Sequence, residues 1–120
     1  VSERLVGGRS GMNAVDVREI RSVLDELGRR IYVAAEETAP YAGSLRRLFL
    51  TYALAAHLKG REVTVRDIHD AWATWVEMEE FAESVTLLPW DDLSPELQML
   101  DYPDYEAVKR IVGEEDRASV

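Results

Sequence analysis

Apolar residues along most of this chain recur at alternating spacings of three and four, the period of an amphipathic helix rather than of a strand. Val17, Ile20, Leu24, Leu27, Ile31 and Ala34 share one face, while Arg18, Arg21, Asp25, Arg29 and Glu36 fall largely off it. Asn13 or Asp16 can cap the start of this helix. Pro40 predicts its end near Thr38, because the residue before proline is pushed out of the helical region. A second helix is predicted from Tyr41 or Ser44 to Leu58, with Gly60 as its stop. Leu45, Leu48, Phe49, Tyr52 and Ala56 give it one apolar face, and Leu50, Leu54 and Leu58 widen that face around the cylinder. So broad an apolar wrap implies burial from two sides, by another segment or another subunit.

Thr64-Val65-Arg66-Asp67 resembles a capping box and opens a third helix, whose stripe of Val65, Ile68, Trp72, Trp75, Val76 and Glu79 runs to about Glu83. Val85 to Leu88 is a short β-prone run that predicts an extended segment but no sheet. Ser94-Pro95 pairs an N-cap with a proline at the first helical position. Tyr102-Pro103-Asp104 starts a last helix carrying Tyr105, Val108, Ile111 and Val112, closed by Gly113. The expected fold is all-α, with four to five helices in one domain over residues 13–113. A Gly- and Arg-rich arm (residues 1–12) and a charged tail (residues 114–120) are expected to be flexible.

At 120 residues, and with 47% hydrophobic content, the chain is long and apolar enough to bury a modest core. Its net charge of -9 argues against a nucleic-acid-binding module, which needs a cationic face. The charge is uneven. Residues 1–60 hold nine Lys/Arg against seven Asp/Glu, and residues 61–120 hold five against sixteen. The halves could attract one another, although a solvated acidic face accounts for most such asymmetry. The absence of cysteine excludes disulfides, thiolate metal sites and thiol catalysis. No apolar run reaches the roughly 18 residues of a membrane span, and Val1 to Gly11 lacks a signal-peptide core, so a cytoplasmic protein is expected.

Chemistry is sparse. His57 and His69 stand outside any metal-ligand spacing, and no phosphate-binding loop or nucleophile motif occurs. Glu77, Glu79, Glu80 and Glu83 form an acidic patch of the kind that is usually solvated surface. An enzyme is not expected, and neither a cofactor nor a metal is implied. An acid–base role for Asp101 with His69 would have no nucleophile beside it. What stands out is a group of aromatic residues, Trp72, Trp75, Trp90, Tyr102 and Tyr105, interleaved with His69, Asp70, Asp91, Asp92, Asp101 and Asp104. Such rings stack a planar ligand and grip its polar edge, or they form the core of a small domain.

The order Ile68-His69-Asp70-Ala71-Trp72-Ala73, then Leu87-Leu88-Pro89-Trp90-Asp91-Asp92-Leu93-Ser94-Pro95-Glu96, then Leu100-Asp101, resembles the ryanodine-receptor (RyR) domain family over about residues 63–112. Glu80-Phe81 and Tyr102-Pro103 depart from that family's pattern. The resemblance implies a helical, non-enzymatic module of a kind found as repeats in large calcium channels and as stand-alone bacterial domains. It also implies roles for His69, Trp72, Pro89, Trp90, Leu93 and Asp101. Together these readings place a ligand site at His69, Trp72, Pro89, Trp90, Asp101 and Tyr102, for a small planar or nucleotide-like molecule. A phosphate would need Arg66 or the Arg29/Arg30 pair. The competing reading is a protein–protein interaction or regulatory subunit acting through its apolar helices. It turns on whether Leu50, Leu54 and Leu58 are covered. A homodimer is expected and fits either reading.

Overall fold

A computed structural model describes residues 14–79 and 88–119; for residues 14–22 and 118–119 it describes the backbone only. The predicted arm at residues 1–12, the end of the third helix at Glu83 and most of the Val85–Leu88 run lie outside the described residues. The described residues form four long helices and one short one: α1 (Ala14–Ala34), α2 (Gly43–Lys59), α3 (Val65–Met78), α4 (Pro95–Gln98) and α5 (Tyr102–Ser119). Single 3-10 turns lie at Gly60–Glu62, Trp90–Asp92 and Met99–Asp101. Among the described residues there is no strand, and the all-α expectation holds.

The core forms where α1, α2, α3 and α5 meet. Ile31, Phe49, Tyr52, Ala53, Ile68 and Val108 are essentially inaccessible. The T-shaped pairs Tyr32–Phe49 and Phe49–Tyr52, with ring centroids 5.7 and 5.3 Å apart, fix α1 on α2. Gly28 lets the two helices approach closely. A Cβ there would lie 2.9 Å from Tyr41 Oη and 3.1 Å from the Phe49 carbonyl oxygen.

Local signals account for most helix starts. Thr64 Oγ1 accepts from the Asp67 N–H at 3.1 Å and Asp67 Oδ2 accepts from the Thr64 N–H at 2.8 Å, a complete reciprocal box with Asp in the usual Glu position. Ser94 Oγ accepts from the Leu97 N–H ahead of Pro95. Gly60 follows α2 with φ +55°.

Two ends differ from expectation. α1 stops at Ala34 rather than near Thr38, because Glu36 turns left-handed at φ 58°. The Glu36 N–H then donates to the Val33 carbonyl and the Glu37 N–H to the Tyr32 carbonyl, which is Schellman closure without its customary glycine. Glu36→Gly relieves that strain and is expected to raise stability by about 0.5–1 kcal/mol; an unchanged urea midpoint would refute it. The second difference is at Gly113, which does not close the last helix. α5 runs on to Ser119, so the segment expected to be a flexible tail is helical through residue 119. Arg30 pairs with Glu114 (3.1 Å) and Glu115, and Arg61 with Asp116 (2.7 Å), which ties those residues to α1 and to the turn after α2. The acidic half of the chain is thus partly neutralised from within.

Candidate functional site

The six residues singled out from sequence converge on one region. His69, on α3, is 2% exposed and sits between two indoles: Trp72 stacks on it (centroids 6.0 Å, 26°) and Trp90 leans against it (5.9 Å, 56°). Trp90 reaches Tyr102 at 6.5 Å, and Tyr102 meets Tyr105 edge-on at 5.9 Å. Asp101 meets the His69 ring at its Nδ1 edge. Pro89 is an exposed backbone element that precedes the Trp90–Asp92 turn and accepts the Asp92 N–H through its carbonyl. Leu93 is buried, and Trp75 points elsewhere, donating its indole N–H to the Ser44 carbonyl at 2.8 Å.

Both ring nitrogens of His69 are engaged. Nε2 donates to the Leu88 carbonyl at 2.7 Å, and Nδ1 lies 3.1 Å from Asp101 Oδ2. A carbonyl only accepts, so Nε2 carries a proton. The Asp101 contact is then an imidazolium–carboxylate pair or a neutral imidazole accepting from the carboxylic acid. In either form His69 staples α3 to the chain entering the Trp90 turn and to the start of α5. It has no nitrogen left for an incoming molecule.

Beside this ring cluster a cavity of about 140 Å³ is lined by Tyr52, Trp72, Leu97, Leu100, Asp101 and Asp104. Of the six predicted residues only Trp72 and Asp101 line it. Tyr52 and Asp104 come from outside that set, joined by a 2.9 Å hydrogen bond from the Tyr52 hydroxyl to the Asp104 carboxylate. Burial pushes both Asp101 and Asp104 above the ordinary carboxylate range, against the lowering effect of His69 on the first and Tyr52 on the second. The arginines that a phosphate would need are engaged elsewhere. Arg66 pairs with Asp91 at 2.7 Å, Arg30 with Glu114 and Glu115, and Arg29 lies over the Tyr41 ring.

These shifts set opposite acid responses. Asp101 and Asp104 favour the protonated form in the fold, so their cost is present at neutral pH and falls as the pH drops toward their raised values. Asp67 works the other way: burial raises it, but Lys59 and Thr64 outweigh that and hold it low. Glu79 is held low by its hydrogen bond from Arg47. Their contributions are lost as the pH falls through those lowered values. Stability is therefore expected to rise as the pH falls from neutral toward the raised values of Asp101 and Asp104, and to fall again below the ordinary carboxylate range as Asp67 and Glu79 protonate. Asp104→Asn should flatten the rise on the acid side of neutrality; an unaltered Tm–pH slope there would show that Asp104 does not carry it.

A second and larger concavity lies between α2 and α3. This groove, of about 590 Å³, is walled by Leu50, Leu54, Ala55 and Leu58 from α2, by Ala71, Thr74 and Met78 from α3, and by Leu24 from α1. Leu54 is 45%, Leu58 72% and Met78 56% exposed, so no described part of the chain covers this end of the leucine ridge, whereas Leu50 is half-buried. Ion pairs join α2 to α3 at both ends: Arg47 to Glu79 (2.6 and 2.9 Å) and Lys59 to Asp67 (2.9 Å). The breadth of α2's apolar face signalled the ridge in the sequence. The wall contributed by Met78 and Leu24 had no local signal, because it depends on how three helices pack.

A family described as Domain of unknown function (DUF7701) matches residues 22–113, over three quarters of the chain. The chain belongs to this family. The DUF7701 match takes in both concavities and all of α2 to α4, and carries no link to ryanodine-receptor domains. No curated protein and no solved structure matches the chain. Among the described residues no group of three or more His, Asp or Glu is placed to hold a metal ion, and no described helix is long and apolar enough to cross a membrane.

Proposed function

We propose that this DUF7701 domain acts by binding another polypeptide in the apolar groove between α2 and α3. The observation that carries the reading is the ridge of Leu50, Leu54 and Leu58, half-buried at Leu50 and exposed at Leu54 and Leu58, which shares the groove with Ala71 and Met78. Leucines at i, i+4 and i+8 form the ridge that helices interdigitate when they pack, and a monomeric domain ordinarily buries it. Grooves of this form take the apolar face of an amphipathic helix through anchors spaced three and four residues apart. The charged residues that line the groove include Lys59 and Asp67, which are tied to one another, and the reading assigns the groove binding and no catalysis.

The test is a photoreactive residue at position 58, illuminated in the native host. A discrete cross-linked adduct that disappears on Leu54→Asp is expected. No adduct from position 58, with the fold intact by circular dichroism, would overturn the proposal.

A second reading keeps a small ligand beside the aromatic cluster, and the partly open cavity next to Trp72 supports it. Two buried carboxylates there disfavour an anionic group, so a neutral planar molecule fits better than a nucleotide phosphate. A nucleoside that raises Tm in the native chain and fails to do so in Trp72→Ala would establish this reading in place of the first.

A further inference from the structure

Resting on the groove reading, we infer that the groove's occupant is an amphipathic helix of a different protein, with lysine or arginine flanking its apolar stripe, and not a second copy of this chain.

The charges around the groove are of two kinds. Those at its ends are already neutralised within the chain, Arg47 by Glu79 and Lys59 by Asp67. Along the α3 edge the situation differs. Asp70 lines the groove, and Glu77 lies two helical turns further on the same edge; both are exposed and neither side chain has a partner among the described residues. They stand about 10 Å apart along the helix. A helix lying in the groove would present its own positions i and i+7 to them, where a basic residue pairs favourably and an acidic one repels.

Occupancy by a second copy does not meet this requirement. The basic groups that a symmetric partner would bring through the same patch are Arg47 and Lys59, both already paired, and it would also bring its own Asp70 and Glu77. Each copy adds a net charge of -9 as well. A basic helix supplies the complementary charge at no such cost, and its attraction to the acidic chain steers the encounter.

The experiment compares two designed, fluorescein-labelled, side-chain-stapled helical peptides of about 12 residues, matched to the roughly 18 Å length of the groove, with the same leucine stripe, one flanked by lysine and one by glutamate. Their binding to the full chain is read by anisotropy, beside the solution mass. The lysine peptide is expected to bind at least about tenfold more tightly, with the advantage shrinking in 0.5 M salt. Asp70→Asn with Glu77→Gln should weaken it about fivefold, and Leu54→Asp should abolish binding of both peptides. Leu58→Asp serves as the second groove variant should Leu54→Asp fail to fold. Equal binding of the two peptides, lost on Leu54→Asp, would overturn the inference and leave the groove reading standing. A dimer that falls to the 13.6 kDa monomer on Leu54→Asp would identify a second copy as the occupant, again overturning the inference alone. Binding of neither peptide by a monomeric chain would remove both.

Discussion

A His69→Ala variant is expected to lose about 3–5 kcal/mol of folding stability, read from the shift of its urea midpoint. Three losses combine. The Leu88 carbonyl gives up its donor, the Asp101 carboxyl is stranded where it is largely buried, and a void opens between Trp72 and Trp90. The stranded carboxyl is the largest of these, because an unpaired buried polar group bears its full desolvation cost. Asp101→Asn should cost far less, about 1 kcal/mol, since the amide can turn its N–H toward Nδ1 of a neutral ring while Nε2 keeps the proton it gives to Leu88. Tryptophan emission should shift in His69→Ala, with both indoles losing a neighbour. A loss below about 1 kcal/mol with unchanged emission would show that His69 does not staple α3 to α5.

Gly28→Val is expected to cost about 2–4 kcal/mol, although valine is the better helix former. The clash is with backbone. A Cβ at position 28 would sit 3.1 Å from the Phe49 carbonyl oxygen and 3.3 Å from its carbon, so α1 would have to lift off α2. Tyr41 Oη, at 2.9 Å, ends a flexible side chain and can swing aside at the loss of its hydrogen bonds to Asp25. Gly28→Ala meets the same contacts with fewer atoms and regains about 1 kcal/mol of helix propensity, so it should fall well short of the valine loss. Equal stabilities for all three proteins would mean that the α1–α2 approach yields freely.

Features that depend on neighbours in sequence were readable before the fold was known. The capping box at Thr64 and Asp67, the Ser94-Pro95 start and the Gly60 stop each rest on residues within four positions of one another. The ends that differed were set over longer range. Pro40 marks where a helix can no longer continue, yet the chain left the helix earlier, at Glu36, for a left-handed turn whose residue type gave no warning. Gly113 looked like a stop. It lies inside α5 because the following acidic residues reach Arg30, more than eighty positions away, and Arg61.

The site divides in the same way. Stacking of His69 on Trp72 follows from their three-residue spacing on one helix, and the broad face of α2 announced surplus leucine. The Leu88 carbonyl that claims His69 Nε2 is a backbone atom with no signature in residue type. Whether rings make a pocket or a plug depends on such atoms.

The two ion pairs that bridge α2 and α3 also act as a ruler. Arg47 and Lys59 are twelve positions apart, so the open stretch between the bridges is about 18 Å long, or just over three helical turns. A segment of that length lies flat between them, and a longer rod must bend or climb over a bridge at either end. On the proposed groove reading, the bridges would therefore select a bound segment by its length, independently of its sequence.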